Sequence, residues 1–380
     1  MNFVADRISR IKPSMTVGIN VKAKAMKEEG KDVIVLAAGE PDFNTPKNIR
    51  DAANKAMEEG KTKYVPGKGT PELQKAIQKK FKEDNNIDYS LDEIICGVGG
   101  KHIIYNAMMA TINSGDEVII TAPYWVSYPD IVLLAEGKPV IVECPENQNF
   151  KITPEQLEEH ITSNTKWLML NSPSNPTGAV YSKQELNDLA QVLIKHPHVL
   201  IMCDDIYEKI IYDGSEFHTL ASIEPSLKNR CLTLNGVSKS YCMTGWRLGW
   251  SVWPKKYIEY ANKLCVNHHS CPTSISQYAG IEAILGPQEE LKKIVAEFQT
   301  RKEFVFKEIN KLDKINCFNP GGAFYAFPNI SKTGLTGKEF SDLALEKKGV
   351  ALVPGTSFGD KAENFIRISF ANSLEKIEEA

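Results

Sequence analysis

The sequence predicts an α/β protein built on a mostly parallel, doubly wound sheet, with a smaller α+β domain attached. Three observations support this class. Short, β-rich segments recur between residues 94 and 253 and are apolar throughout rather than alternating, which indicates strands covered on both faces. Helical patterns separate several of these segments, as in parallel βαβ units. After residue 285 the pattern changes to a long charged helix followed by mixed strands and helices.

The elements follow in chain order from local signals. Ser14 or Thr16 can cap a helix at 17–29, and the Gly-Glu-Pro run at 39–41 ends a short strand at 33–36. Strands are predicted at 33–36, 94–96, 117–121, 139–142, 166–170, 199–203, 231–234, 248–253, 323–327 and 365–370. Helices are predicted at 17–29, 46–59, 71–83, 102–112, 183–195, 288–312 and 337–347.

Length and composition limit the classes of function. The chain has 380 residues, enough for two domains or for one large domain with an appendage. Its composition, 42% hydrophobic and 24% charged, is that of a soluble globular protein. We expect an N-terminal arm and small-domain segment at 1–44, a large domain at 45–290 and a small C-terminal domain at 291–380. The net charge of −3 gives no overall field for nucleic acid. The sequence has no apolar run that could span a bilayer and no apolar signal core, so no membrane partner is expected.

The eight cysteines include no Cys-x-x-Cys pair, and several lie in apolar segments. We therefore expect reduced, mostly buried thiols and a cytoplasmic location. One cluster has the chemistry of metal ligands: Cys265, His268, His269 and Cys271. Because Asn267 and Ser270 between them suggest a loop, we predict no metal site.

A glycine-rich turn, Cys96-Gly-Val-Gly-Gly-Lys-His102, joins a predicted strand to a helix. Glycines let the backbone close around a phosphate, and the helix N-terminus offers free N–H groups. A dinucleotide fingerprint from Gly97 would need glycine at 102, and a P-loop ending in Gly100-Lys101 would need glycine at 95, which is Ile. Neither motif fits, so the turn predicts a phosphate site of another kind or a plain connection.

The strongest signal is the segment Asn235-Gly-Val-Ser-Lys-Ser-Tyr-Cys-Met-Thr-Gly-Trp-Arg247. Lys239 follows an apolar strand among small residues, and Arg247 follows a second glycine. A reactive amine can form a Schiff base with a carbonyl compound, and an arginine can bind a phosphate through two hydrogen bonds. A surface loop with two ordinary cations is the alternative.

Ser-Lys-x-x-x-Met-Thr-Gly-Trp-Arg resembles the lysine motif of class I pyridoxal-phosphate-dependent aminotransferases, and further matches follow in family order from residue 12 to residue 370. The resemblance is closest to the I-beta subgroup of bacterial-type aspartate aminotransferases, including aspartate/prephenate aminotransferases. It implies fold type I of pyridoxal-phosphate-dependent transferases and the cofactor pyridoxal 5′-phosphate. Lys239 would bind this cofactor covalently and act as the catalytic residue, and Arg247 would bind its phosphate.

The same resemblance implies the other cofactor ligands. Trp125, in Pro-Tyr-Trp, would stack on the pyridine ring, although core packing is the ordinary role of a tryptophan. Asp204, after an apolar strand, would keep the ring nitrogen protonated. Asn175, in Asn-Pro-Thr-Gly, and Tyr207 would bind the phenolic oxygen. The implied cofactor-binding set is Tyr64, Gly99, Gly100, Lys101, Trp125, Asn175, Asp204, Tyr207, Ser238, Lys239 and Arg247.

The implied reaction is a ping-pong transamination of small amino and oxo acids, in which L-aspartate and 2-oxoglutarate give oxaloacetate and L-glutamate. Arg367 would hold the α-carboxylate of the substrate and Lys101 its distal carboxylate. Lys12 and Thr16 match features that some relatives use for prephenate, so conversion of prephenate to arogenate is a second expectation. The implied substrate-binding set is Lys12, Thr16, Gly39, Lys101, Trp125, Asn175 and Arg367.

Tyr64 resembles the tyrosine that reaches the phosphate of the neighbouring subunit, which implies a homodimer with active sites at the subunit interface. Two departures from the family pattern stand out. Asp205 replaces a glutamate common in relatives and is expected to be structural. Gly236 stands where other subgroups carry a phosphate-binding serine.

Three alternatives stay open: another class I aminotransferase of aromatic or alanine type, a pyridoxal-phosphate-dependent carbon–sulfur lyase, and a non-catalytic ligand sensor. The pair of Lys101 and Arg367 argues against the lyase, because two cations suit a dicarboxylate. The presence of Lys239, Asp204 and Tyr207, without an added DNA-binding segment, argues against the sensor.

Overall fold

The computed structural model describes residues 3–380. Its strands are β1 Ile34–Val35, β2 Ile94–Gly97, β3 Glu117–Ala122, β4 Lys138–Glu143, β5 Thr165–Asn171, β6 Leu200–Asp204, β7 Cys231–Gly236, β8 Gly249–Val252, β9 Tyr325–Ala326, β10 Val350–Ala351, β11 Val353–Pro354 and β12 Ile366–Ser369. Its helices are α1 Asp6–Ser9, α2 Met15–Glu28, α3 Lys47–Glu58, α4 Pro71–Asn85, α5 Gly100–Thr111, α6 Ser127–Leu134, α7 Pro154–His160, α8 Lys183–Lys195, α9 Leu220–Ile223, α10 Lys255–His268, α11 Ser274–Leu285, α12 Glu289–Ile309, α13 Gly337–Lys348 and α14 Leu374–Glu379.

Seven strands form the main sheet in the order β2-β8-β7-β6-β5-β3-β4. The pairs β3–β4, β3–β5, β5–β6 and β6–β7 are parallel, and β8 runs antiparallel to both of its neighbours. The predicted mostly parallel α/β sheet is therefore confirmed. Because the carboxyl ends of the parallel strands meet at one edge, the segments that follow them meet there too.

Apolar side chains cover both faces of this sheet. In β5, Leu168 packs into one core cluster and Trp167 into the other, and in β6 Ile201 and Met202 divide in the same way. All five residues of β6 are buried. Since successive strand residues point to opposite faces, strands buried on both sides have to be apolar throughout, as the sequence is.

Local capping signals fix several helix starts. Ser182 and Glu185 form a capping box at the start of α8, and Thr336 and Glu339 do so at α13. Thr70 caps α4, whose first residue is proline. The start of α5 differs, because its N-cap is Gly99 and carries no capping side chain. Its first N–H groups are therefore left for another partner.

A second layer lies beyond the main sheet. It contains an antiparallel sheet in the order β11-β12-β9 and a parallel pair of β1 with β10. The 21-residue α12 packs Phe298 and Val305 into an apolar cluster with residues of this layer. The domain boundaries at 44/45 and 290/291 stay a prediction. The strand predicted at 33–36 is reduced to two residues, because it pairs only with the equally short β10.

Residues 255–268 form a helix that the sequence pattern did not predict. Cys265, Asn267 and His268 lie on this helix, α10, so the interpretation of that cluster as a loop was wrong for them. Only the part from His269 onward is a loop. The helix was missed because its lysines and tyrosines mask a short buried stripe of Ile258, Ala261 and Cys265.

All eight cysteines are free thiols, and seven of them are buried, with Cys271 half-buried. Within residues 3–380, each helix is too short or too polar to cross a bilayer.

Candidate active site

A cavity of about 300 Å³ opens where β5, β6 and β7 end, beneath the second layer. Its walls come from both layers of the fold. The lining residues are Thr16, Asn20, Ala37, Gly39, Gly100, Lys101, Ile104, Trp125, Val126, Tyr128, Asn171, Asn175, Asp204, Ile206, Tyr207, Leu234, Ser238, Lys239, Thr244, Arg247, Tyr325 and Arg367. Most residues that the sequence predicted for a cofactor and substrate site thus lie around one space.

Lys239 reaches this cavity from the turn that follows β7. Its Nζ donates a hydrogen bond to the carbonyl oxygen of Gly39, in the segment after β1. Burial lowers the pKa of Lys239 to about 8; Glu40 opposes this shift, and Arg367 and Arg247 add to it. A lysine with this pKa has a substantial neutral fraction near pH 8, which a nucleophile or a base requires.

An anion cradle lies at the start of α5. Gly99 adopts φ +83°, and a Cβ added there would lie 2.4 Å from Nη2 of Arg247. Arg247 itself donates to the carbonyl oxygens of Thr244 at 2.7 Å and Val98 at 3.3 Å. Glycine is therefore required at position 99, because the guanidinium occupies the space of a side chain. Together with the free N–H groups of α5, this arrangement suits a phosphate.

Ser238, which is 7% exposed, also lines the cavity at this end. Gly236 has a packing reason to be glycine, since an added Cβ would lie 3.0 Å from Cα of Gly249 and from the carbonyl oxygen of Leu248. The close pairing of β7 with β8 therefore excludes a serine at this position without a shift of the strands.

A buried acid forms the opposite wall. Asp204 is 6% exposed, and its Oδ2 accepts a hydrogen bond of 2.6 Å from the hydroxyl of Tyr128. Burial raises the pKa of Asp204 to about 6, and the Tyr128 bond counteracts that rise. Asn171 donates to the backbone carbonyl of Asp204 at 2.8 Å. The carboxylate is thus held in one orientation, and it is mostly ionised at neutral pH.

A buried ion pair with α4 fixes the turn after β6. Glu208 accepts from Lys80 at 2.5 Å, and both side chains are almost completely buried. Asn85 lies 2.7 Å from the same lysine nitrogen. Asp205 is 3% exposed, and burial raises its pKa well above the usual range. Asp205 does not line the cavity.

Two tyrosines and an arginine form the roof. The hydroxyls of Tyr207 and Tyr325 lie 2.9 Å apart. Arg367, on β12 and 3% exposed, donates to Asn175 Oδ1 at 3.0 Å and to the carbonyl oxygen of Ala37 at 2.8 Å. Its Nε is buried and has no hydrogen-bond partner in the part of the chain that the structure describes. This buried guanidinium donates its hydrogen bonds to neutral oxygens, so its charge fits an incoming carboxylate.

Lys101 and Trp125 stand at the mouth. Nζ of Lys101 lies 5.0 Å above the Trp125 ring. Burial lowers the pKa of Lys101, Arg247 adds to this shift, and Asp130 opposes it. Thr16, from α2, and Gly39 complete this side of the cavity.

Three predicted residues lie outside the lining. Gly99 sits behind Arg247, as described above. Lys12 is exposed, and its backbone N–H donates to the Asp130 carboxylate. Tyr64 is 89% exposed. The structure of one chain therefore does not bring Lys12 or Tyr64 to the cavity.

Five polar lining residues were missed from the sequence: Asn20, Tyr128, Asn171, Thr244 and Tyr325. Asn171 opens the Asn-Ser-Pro-Ser-Asn-Pro-Thr-Gly segment and Tyr128 follows Trp125 by one helical turn, so both had a local signal. Tyr325 had no such signal. It lies inside a predicted strand, and only the packing of β9 against the turn after β6 reveals its contact with Tyr207.

Comparison with known proteins gives a consistent result. Residues 31–380 match the family model described as aminotransferase class I and II. The aspartate/prephenate aminotransferase of Cereibacter sphaeroides is 49% identical over 390 aligned positions, covering 100% of this chain and 97% of the relative.

Solved structures agree with this match. The aspartate aminotransferase of Rhizobium meliloti superposes with a TM-score of 0.96 at 47% identity, covering 100% of this chain and 97% of that one. The aspartate aminotransferase of Thermus thermophilus with maleate superposes with a TM-score of 0.95 at 36% identity, covering 100% and 98%.

Proposed function

This chain belongs to the class I and II aminotransferase family, and on that premise we propose that it transfers the amino group of L-aspartate to 2-oxoglutarate. The observation that carries the proposal is that two further cations, Lys101 and Arg367, line the same cavity as Lys239. A dicarboxylic amino acid has one carboxylate for each of these two cations. The relatives named above are called aspartate or aspartate/prephenate aminotransferases.

Pyridoxal 5′-phosphate is the proposed cofactor, and the residues present fit it. The glycine cradle with Arg247 and Ser238 suits its phosphate, the ionised Asp204 suits a protonated ring nitrogen, and Trp125 offers an aromatic face. Bound here, the cofactor would supply an aldehyde that links to amines and a ring that takes up the electrons left when Cα loses its proton.

The chain's own residues would do the rest. Arg367 and Asn175 would hold the α-carboxylate, and Lys101 would hold the distal one, which fixes the Cα–H bond relative to Lys239. Lys239, with its pKa lowered to about 8, would take the proton from Cα of the substrate and deliver it to the C4′ carbon of the cofactor. Closure of the predicted small domain would exclude water during this transfer.

We also propose a homodimer with its active sites at the interface, and a cytoplasmic location. Large apolar side chains are exposed along the N-terminal region, such as Phe3 at 92% and Val21 at 62%, and Tyr64 is exposed at 89%. These surfaces suit burial against a second copy, whose cavity Tyr64 would reach. Free, mostly buried cysteines suit a reducing compartment.

The first test is steady-state transamination. The expected result is conversion of 2-oxoglutarate with aspartate, and the Lys101→Ala variant should lose about 10–100-fold in kcat/KM for aspartate, since a charge-assisted bond contributes about 1.5–3 kcal/mol. Activity toward alanine should change little, because alanine has no distal carboxylate. An equal loss with both substrates would remove the role proposed for Lys101.

A second candidate substrate is prephenate, because Thr16 lines the cavity. Transamination of prephenate with aspartate or glutamate as donor would support it, and Thr16→Val should then weaken prephenate more than 2-oxoglutarate. Release of pyruvate from cystathionine, without transamination, would instead indicate the carbon–sulfur lyase. Binding of pyridoxal 5′-phosphate without either reaction would instead indicate the non-catalytic ligand sensor.

A further inference from the structure

We propose that His102, His268 and His269 form a binding site for a borderline transition-metal ion, such as Zn²⁺, outside the cavity described above. The structure supplies what the sequence pattern alone lacked, because His102 is more than 160 positions away along the chain. Within residues 3–380 this is the one group of three or more His, Cys, Asp or Glu side chains whose ligand atoms lie close enough to share an ion.

The three rings come from two packed helices. His102 lies in the first turn of α5, His268 is the last residue of α10, and His269 caps α10. The centroids of the His102 and His269 rings are 4.3 Å apart, and those of His102 and His268 are 5.5 Å apart. One nitrogen of each ring lies within 4.8 Å of one nitrogen of each other ring. Nitrogens around one tetrahedral zinc ion lie about 3.3 Å apart, so modest side-chain rotations would close the site.

His269 provides an independent observation. Both of its ring nitrogens are buried, and neither has a hydrogen-bond partner among residues 3–380. A buried polar atom without a partner is unfavourable, and a metal ion would satisfy it. His268 is exposed, so an ion can enter from that side. An ordinary imidazole is mostly neutral above pH 7, which leaves a lone pair on each ring for coordination.

His102 has a neighbour suited to the outer coordination shell. Its Nε2 lies 3.0 Å from the side-chain amide of Asn106, which in turn lies 3.0 Å from Cys265 Sγ. With the amide oxygen facing the ring, Asn106 would accept the Nε2–H and leave the lone pair on Nδ1. Nδ1 now accepts a 3.2 Å hydrogen bond from the Val98 N–H, which the metal would replace. The proposed site therefore lies directly behind the glycine cradle.

The chemistry of the ligands selects the class of ion. Three imidazoles without a carboxylate suit Zn²⁺, Co²⁺, Ni²⁺ or Cu²⁺, whereas Mg²⁺ and Ca²⁺ prefer oxygen ligands. A three-histidine site leaves a coordination position for water.

The test is metal binding by the untagged holoenzyme, with Co²⁺ followed by its visible absorption and Zn²⁺ by calorimetry. We expect one equivalent of each ion to bind, and His268→Gln and His269→Gln to weaken binding at least about tenfold. His160→Gln is the matched control, because His160 also ends a helix, α7. Its Nδ1 hydrogen-bonds to the backbone carbonyl oxygen of Gln156. This readout does not depend on transamination.

Exposed His268 can be replaced without disturbing the core, and the melting temperature of each variant would verify folding. Absence of saturable Co²⁺ and Zn²⁺ binding would refute the site. Binding to His268→Gln and His269→Gln with the affinity of the unmodified enzyme would refute it as well, since the ion would then lie elsewhere.

Discussion

Replacement of Tyr128 by Phe removes one hydrogen bond from a buried charge and leaves the packing of the ring. The Tyr128 hydroxyl donates to Asp204 Oδ2 at 2.6 Å, and this bond opposes the effect of burial, which raises the pKa of that carboxyl to about 6. Without the hydroxyl, the ionised form of Asp204 loses stabilisation and its pKa rises further.

The size of the shift follows from the charge on the acceptor. A hydrogen bond to a charged group contributes about 1.5–3 kcal/mol, which corresponds to about 1–2 pH units. The pKa of Asp204 in Tyr128→Phe should therefore lie at about 7–8. At pH 7 the ionised fraction would fall from about nine tenths to between one half and one tenth, and at pH 6 it would fall about 5–50-fold.

The assay is the affinity of cofactor-free protein for pyridoxal 5′-phosphate as a function of pH. If binding needs an ionised Asp204, the affinity rises as the pH increases through the pKa of that group. The acid limb of the profile, where affinity is lost as the pH falls, should therefore move from near pH 6 to about pH 7–8 in the variant. Tyr124→Phe is the control, because Tyr124 lies in the same segment but does not line the cavity. An unmoved acid limb in a folded Tyr128→Phe protein would refute the proposed coupling.

Two further predictions concern the scaffold. Gly99→Ala should lower the affinity for pyridoxal 5′-phosphate about 10–100-fold in a cofactor titration, because the new Cβ would displace Arg247. Gly115→Ala is the control. Gly115 also has a positive φ, but a Cβ there would meet no atom of the described residues within 4 Å, so this variant should bind the cofactor normally. Lys80→Met should lower the free energy of unfolding in urea by about 3–5 kcal/mol, because it leaves a buried carboxylate unpaired, whereas Lys338→Met, from an exposed pair, should change it by less than about 1 kcal/mol. Equal stability of the two lysine variants would contradict this account.

The main sheet could be predicted because its signals are local and repeated. Seven short apolar segments separated by helical patterns leave few arrangements other than a sheet covered on both faces. Helix α8 was predicted at its observed bounds, with Ser182 and Glu185 closing its first turn, whereas α7 was missed although Thr153 and Gln156 form a capping box at its start. The second layer was less predictable, because β1, β10 and β11 are two residues long and exist only through pairing with distant partners.

The site residues also divide into those that local motifs indicate and those that only the packing of distant segments reveals. The sequence could indicate Lys239, Asn175 and Arg247, because each lies in a contiguous motif that its neighbouring residues make recognisable. The contact of Tyr325 with Tyr207, and the approach of His102 to His268, join segments more than 100 positions apart. Such contacts depend on how helices and strands pack, and no local pattern encodes them.

The charges around the cavity explain why these separate features belong together. Of the described residues 3–380, four cations line it, Lys101, Lys239, Arg247 and Arg367, and one acid, Asp204. Burial is the main cause of the lowered pKa of Lys239 and of Lys101, and neighbouring cations add to it. The repulsion between these cations is relieved when anions enter. At an effective dielectric constant of 20, each opposite pair at 4 Å contributes about 4 kcal/mol of Coulomb energy, before desolvation is subtracted. A phosphate and two carboxylates supply those anions, whereas a monocarboxylic amino acid leaves Lys101 without one. The same excess of positive charge that adds to the lowered pKa of Lys239 would therefore also select the dicarboxylic substrate.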